Sequence, residues 1–145
     1  MSYLDDFLKG KQISKAVATA EKRLQGIQFD AIAVRGNSGL LIGAPLAAHL
    51  NKNIMIVRKK GERSHSMRDV EGWQHARQRV LLVDDFIETG STLKYMYRKI
   101  MDYCVEPEVV GVYLYNSSDD GADCIQSVRG GVELDIFRPR RKDRK

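Results

Sequence analysis

Residues 80–92 read VLLVDDFIETGST, an order of residue types suited to a ligand site at the end of a strand. Four apolar residues specify a buried strand, two carboxylates, Asp84 and Asp85, stand at its end, and a Thr-Gly-Ser-Thr turn opens the next helix. A glycine-containing turn at a helix N-terminus offers unpaired amides and the positive end of the helix dipole to a phosphate. Thr89, Ser91 and Thr92, around Gly90, add hydroxyl donors. Asp84 and Asp85 are acceptors that hold sugar hydroxyls or order a hydrated magnesium ion. Phosphate donors beside diol acceptors point to a phosphorylated sugar. The plain alternative is a pair of aspartates that only cap a turn, but a cap needs one acid rather than two.

Two further segments carry charge in useful places. In 34–39, Val-Arg-Gly-Asn-Ser-Gly, Arg35 offers a fixed fork of donors, Gly36 permits close backbone approach, and Ser38 can cap the next helix. The alternative is a plain strand-to-helix turn. Residues 58–72, RKKGERSHSMRDVEG, are dense in cations, and their ordinary fate is a solvated loop. The Gly-Lys-Ser/Thr ending of a Walker loop is missing, which argues against nucleoside triphosphate binding of that type.

Elements of alternating type must position these segments. Ile13, Ala16, Val17, Ala20, Leu24 and Ile27 recur at helical spacing and predict an amphipathic helix over about 11–25, ended by Gly26. Residues 31–34 are a short apolar run, as in a buried strand; 39–50 are apolar almost all round, a buried helix; 54–57 form a second strand. Residues 58–78 are poor in apolar residues and too long for an ordinary connection. A third strand comes at 80–83, then a helix marked by Leu93, Met96, Tyr97 and Ile100, then a fourth strand at 109–115. Beyond Asn116 only 132–137 looks strand-like. Helices alternating with continuous apolar strands imply an α/β fold with a doubly wound parallel sheet, helices on both faces, and ligands at the carboxyl ends of the strands.

Residues 80–92 resemble the phosphoribosyl-pyrophosphate (PRPP) motif of the type I phosphoribosyltransferases at every expected class of position, and 34–39 resemble the family's pyrophosphate loop. The resemblance covers roughly 29–116 and mixes features of the orotate and 6-oxopurine enzymes. It implies a three-layer, doubly wound sheet in one domain: a core over about 11–118, a small hood over about 119–137, and a basic tail at 138–145. The ribose hydroxyls of PRPP would meet Asp84 and Asp85, which would also hold Mg2+ indirectly, through water. The 5-phosphate would lie on Glu88, Thr89, Gly90, Ser91 and Thr92, and the pyrophosphate on Arg35, Gly36, Arg58 and Lys59. The resemblance also raises a cis peptide between Arg35 and Gly36, which the sequence does not decide. In the family the loop at 58–72 closes over the substrate, and in the orotate enzymes it carries an Arg-Lys pair and, further on, a Lys and a His. Arg58 and Lys59 match the pair; Arg63 and His65 match the later two with one residue inserted, and 70–72 resemble the return limb.

The implied reaction displaces pyrophosphate from C1 of PRPP by a ring nitrogen of a nucleobase, through an oxocarbenium-like transition state, to give a nucleoside monophosphate. Arg35, Arg58, Lys59 and magnesium would meet the charge growing on the leaving group, and Arg63 and His65 would arrive on closure to neutralise charge and exclude water. Glu88 lies where the 6-oxopurine enzymes carry an Asp that handles a purine ring-nitrogen proton; it acts as a general base or is an inert surface acid. Asn116 offers a donor and an acceptor to a base edge, with Ile87, Tyr115 or Phe137 to stack on the base. Neither the Lys of the oxopurine enzymes nor the Arg of the orotate enzymes stands after the fourth strand. The balance favours a Mg-dependent purine phosphoribosyltransferase of nucleotide salvage, dimeric as the family usually is, with orotate or another pyrimidine as the alternative acceptor. Two other classes stay open: a PRPP-binding protein without activity, and a nucleotide-sensing RNA-binding regulator like the pyrimidine-operon attenuation proteins. An intact Arg35-Gly36, a full PRPP motif and a loop with Arg58, Lys59 and His65 are more than such a sensor needs.

Composition bounds these readings. With 145 residues, 43% hydrophobic and 30% charged, the chain is ordinary globular material of single-domain length. No segment approaches the roughly 20 apolar residues of a membrane span, and the start, MSYLDDFLKGK, lacks the order of a signal peptide, so a cytoplasmic protein is expected. Cys104 and Cys124 form no Cys-x-x-Cys or Cys/His cluster and read as reduced, packed thiols. The net charge of +5 is one tail: RPRRKDRK at 138–145 holds six bases and one acid, and the rest of the chain carries eighteen charges of each sign. That tail permits phosphate contacts with a nucleic acid, although a solvated end is the simpler reading. His49 and His75 lie outside the motifs and read as structural or surface residues, and Trp73 as packing where the loop rejoins the sheet.

Overall fold

The computed structural model describes residues 5, 8–59, 68–72, 75–85, 91–116 and 125–127, the last three by their backbone only. The apolar runs expected as strands at 31–34, 54–57, 80–83 and 109–115 each form one. In chain order the elements are α1 (Gly10–Arg23), β1 (Ala31–Val34), α2 (Gly36–Leu50), β2 (Asn53–Val57), β3 (Val70–Glu71), β4 (Arg79–Asp84), α3 (Ser91–Tyr103), β5 (Glu108–Leu114) and β6 (Ile125–Ser127). The described strands form one six-stranded sheet in the order β3-β2-β1-β4-β5-β6. β1 is parallel to β2 and to β4, and β4 to β5. β1 is buried along its whole length, and every residue of β4 after Arg79 is buried, so both read as continuous apolar runs rather than alternating ones.

The sheet departs from an all-parallel one at both edges. β3 runs antiparallel to β2, and β6 antiparallel to β5. β6 lies within the segment expected to form the hood; the strand-like run at 132–137 lies outside the described residues.

β1-α2-β2 and β4-α3-β5 advance across the sheet in opposite directions. Right-handed crossovers then put α2 and α3 on opposite faces and open a crevice between the carboxyl ends of β1 and β4, the topological switch point. α2 begins at Gly36, three residues earlier than its apolar run, with Arg35 in extended conformation as its N-cap and no side chain capping it. Ser38 is therefore inside the first turn and not the cap. The entry turn needs glycine: Gly36 has φ +72°, in the left-handed region. One turn on, a Cβ at Gly39 would lie 3.2 Å from the Val83 carbonyl oxygen and 3.2 Å from Val34 Cβ. That close approach seats the start of α2 directly on β1 and β4. All peptide bonds among the described residues are trans, the Arg35–Gly36 bond included.

α1 buries Val17 and Ala20, as its spacing predicts, and packs beside α2. The core joins these residues to the buried strands and to Leu93, Met96 and Ile100 of α3. Each fully buried Leu or Ile contributes about 1.5–3 kcal/mol relative to its exposed state, so the sheet centre is a rigid base for the strand ends. Cys104 is a buried free thiol whose pKa burial pushes up. No helix among the described residues is long and apolar enough to cross a membrane.

Candidate functional site

The carboxyl ends of β1, β2, β4 and β5 bring together Arg35, Gly36, Arg58, Lys59, Asp84, Asp85, Tyr115 and Asn116. Ser91 and Thr92 begin α3, the helix that leaves this same edge after β4. Ile87, Glu88, Thr89 and Gly90, the loop residues Arg63 and His65, and Phe137, Trp73 and Cys124 lie outside the described residues, as does the tail.

Asp84 ends β4 and Asp85 comes next, and each residue is only 6% exposed. Asp84 Oδ1 accepts the Asp85 backbone N–H at 2.9 Å and the Ser38 hydroxyl at 3.5 Å. Burial pushes the Asp84 carboxyl up to about 7, and the adjacent Asp85 side chain adds to the rise, against the lowering effect of the Asp85 N–H and Ser38. A strand end that carries two adjoining acids in the interior is costly unless a cation or a donor-rich ligand joins them. Among the described residues, no cluster of three or more His, Cys, Asp or Glu side chains is placed to hold a metal ion. Two carboxylates completed by water and ligand oxygens is nonetheless an ordinary magnesium arrangement.

The cations come from the neighbouring strands. Arg35 leaves the end of β1 with its guanidinium over the Tyr95 ring, 4.6 Å from the centroid, and its Nε is buried without a hydrogen-bond partner among the described residues. Lys59 lies just past β2, and its ammonium end closes on the turn: a Cβ at Gly36 would lie 3.3 Å from Lys59 Nζ. Arg58 is differently engaged. Its Nε and Nη2 donate to the Glu71 carboxylate at 3.0 and 2.7 Å, so in this structure its fork faces β3. Its backbone N–H donates to the Asp69 carbonyl at 2.7 Å, closing the base of the loop.

Tyr115 and Asn116 complete the edge. The Tyr115 hydroxyl donates to the Ser38 carbonyl at 2.6 Å and the residue is buried, so it ties β5 to α2. Asn116 is partly exposed beside it. The Tyr115 and Asn116 backbone N–H groups donate to the Asp84 and Asp85 carbonyls at 3.1 and 2.8 Å, which fixes the acids' backbone. His49, on Glu21 at 2.9 Å, and His75, whose ring nitrogen lies 3.1 Å from the Ala76 carbonyl, are exposed surface residues.

Three residues matter here without a motif signal for the role they take. Ser38, expected as a cap, instead touches Asp84; Glu71 holds Arg58; Tyr95 supports Arg35. Tyr95, Lys99 and Tyr103 recur every four residues beside the apolar stripe of α3, a polar-aromatic face that apolar periodicity alone does not reveal. Taken together, the edge offers cations at one side and buried acids at the other, which suits a ligand with both an extended polyanion and free hydroxyls.

No family model matches the chain. It is 30% identical over 98 residues to the orotate phosphoribosyltransferase of Pyrococcus furiosus, covering 68% of this chain and 53% of that one. It is 33% identical over 87 residues to the adenine phosphoribosyltransferase of Agathobacter rectalis, covering 50% of each. Among solved structures, the adenine phosphoribosyltransferase of Thermoanaerobacter pseudethanolicus matches with a TM-score of 0.61 at 25% identity, over 73% of this chain and 69% of that one. The chain spans about half the length of the curated relatives it matches.

Proposed function

The chain belongs to the type I phosphoribosyltransferase fold family as a homologue of orotate and adenine phosphoribosyltransferases, and from that premise we propose that it transfers the 5-phosphoribosyl group of PRPP to a nucleobase. One observation carries the reading: Arg35, with a buried Nε lacking an acceptor among the described residues, and the buried Asp84-Asp85 pair stand at the ends of adjacent strands on the switch point. Anion donors and diol acceptors are the two chemistries PRPP needs.

In the proposed reaction a base nitrogen bonds to C1 of the ribose, the bond from C1 to the pyrophosphate oxygen breaks, and the base gives up a proton. Asp84 and Asp85 orient the ribose through its hydroxyls, and the start of α3, with Ser91 and Thr92, receives the 5-phosphate after Glu88, Thr89 and Gly90. Arg35, Lys59 and Gly36 receive the pyrophosphate, and Arg58 joins them by exchanging Glu71 for phosphate oxygens. Arg63 and His65 close over the leaving group and exclude water, and Glu88 takes the proton from the base. Bound magnesium, held through water by Asp84 and Asp85, would supply counter-charge to the pyrophosphate. Asn116 reads the base edge, flanked by Ile87, Tyr115 and Phe137.

A purine is the proposed acceptor, and the orotate enzyme among the relatives supports orotate as the second reading. A cytoplasmic homodimer of nucleotide metabolism fits either. The test is pyrophosphate release from PRPP and magnesium with adenine, guanine, hypoxanthine, xanthine, uracil or orotate. Release with one base names the acceptor. No release with any base, together with salt-sensitive RNA binding lost on deleting 138–145, would replace the enzyme by an RNA-binding regulator.

A further inference from the structure

Resting on the phosphoribosyltransferase reading, we infer that Tyr95 is a positioning residue that sets the two cationic arms of the pyrophosphate site, Arg35 and the Arg58-Lys59 pair, against each other. Tyr95 lies in the second turn of α3, and its two ends do different work. The ring lies 4.6 Å from Arg35 Cζ. The hydroxyl donates to the Arg58 carbonyl at 3.1 Å, at the point where the chain leaves β2 for Lys59. One side chain therefore spans from the end of β1 to the end of β2.

The choice of a ring is physically informative. A guanidinium held by a carboxylate has its charge and two donors consumed, as Arg58 has on Glu71. A guanidinium held over an aromatic face is fixed in plane while its N–H groups remain available, because the attraction is to the ring quadrupole rather than to an acceptor. Among the described residues Arg35 has no carboxylate partner, and its Nε is buried without an acceptor. An arginine set in this way is poised for an anion.

The same face of α3 anchors the base of the 58–72 segment. Lys99 Nζ is 5.6 Å from the Tyr95 ring centroid and donates to Asp69 at 2.9 Å, and the Tyr103 hydroxyl donates to Asp69 at 3.0 Å. The Asp69 carbonyl in turn accepts the Arg58 N–H at 2.7 Å. Lys99 and Tyr103 thus hold the returning limb through Asp69, and Tyr95 holds the outgoing limb. Tyr95 alone of the three also reaches Arg35.

The test titrates the full chain with inorganic pyrophosphate and with PRPP, each with magnesium, and measures KM for PRPP and for the base separately. Tyr95→Leu removes ring and hydroxyl; affinity for pyrophosphate and PRPP falls about tenfold, and KM for the base stays unchanged. Tyr95→Phe keeps the ring and recovers most of that loss, leaving about a threefold deficit. Should Tyr95→Leu not fold, Tyr95→Met, also ring-free, carries the comparison. Ring-free variants that bind pyrophosphate as the wild type does, or that raise KM for the base and for PRPP alike, overturn the inference and leave the proposed function standing. A wild type that binds neither pyrophosphate nor PRPP overturns both.

Discussion

The two ends of the sheet use the same residue types in opposite ways. At the amino end, Asp30 precedes β1 and Arg79 opens β4. The Arg79 backbone N–H, Nε and Nη2 all donate to the Asp30 carboxylate at 2.9, 3.3 and 3.1 Å, and Nη1 donates to Gln28 at 2.9 Å. The Arg79 hydrogen bonds hold the Asp30 carboxyl below its usual range. At the carboxyl end of the same two strands, Arg35 rests on a ring instead of an acid, and burial lifts Asp84 to about 7. The first pair closes the sheet and is complete without a ligand. In the second set the buried Arg35 Nε has no acceptor among the described residues and Asp84 and Asp85 are buried acids, an arrangement that costs stability and favours a ligand site.

Breaking the ligand end has the largest expected effect. Asp85→Asn or Arg35→Ala should lower pyrophosphate release from PRPP on the order of 10²- to 10³-fold, with folding retained. Arg58→Ala should fall in the same range if its fork leaves Glu71 during turnover, and unchanged turnover would leave it as a strut of β3.

Next comes stability against pH. The folded-state pKa of Asp84 is raised, so the folded chain binds more protons than the unfolded one between about 3.8 and 7. The contribution is fully present below pH 3.8 and is lost as pH rises through 7. Asp84→Asn keeps an acceptor for Ser38 and removes the charge. It should be inactive yet more stable than wild type at pH 8, by about 1–4 kcal/mol, with no such advantage at pH 4. Denaturant unfolding at the two pH values measures this. A variant less stable than wild type at pH 8 would remove the contrast between the two ends.

Asp30→Asn should do the reverse, lowering the melting temperature by a few degrees at pH 7 while turnover is kept. The Asp30 contribution is present above pH 3.8 and lost as pH falls through the depressed value, so acid melts of wild type and variant should converge. The smallest effect belongs to Arg77→Ala. Arg77 and Glu106 pair at 3.2 Å but are 83% and 72% exposed, and water screens them, so calorimetry should find no change.

Much of the site is legible in the sequence because a local pattern determines it. A run of four apolar residues ending in Asp-Asp needs no neighbour to be read as a strand end, and Arg35-Gly36 needs only the turn after β1. The edge strands are not legible: β3 spans two residues, too short for any period, and β6 is the mixed run Ile-Gln-Ser. A Ser before an apolar run ordinarily caps it, but Gly36 at positive φ starts the helix earlier and turns Ser38 toward Asp84. Tyr95 and Glu71 acquire roles only once β1, β2 and β3 lie side by side, a fact of tertiary order. The lifted Asp84 likewise depends on burial, which spacing does not show.

In the proposed reading the carboxyl end of the sheet holds PRPP and the amino end does not, and thermal melts with and without PRPP and magnesium test that difference directly. At a ligand concentration a hundred times Kd, wild type should gain about 2.7 kcal/mol. Asp30→Asn should show the same ligand-induced rise from its lower starting point, and Asp85→Asn should show almost none. No rise in wild type, or an equal rise in Asp85→Asn, would contradict the assignment of the two ends.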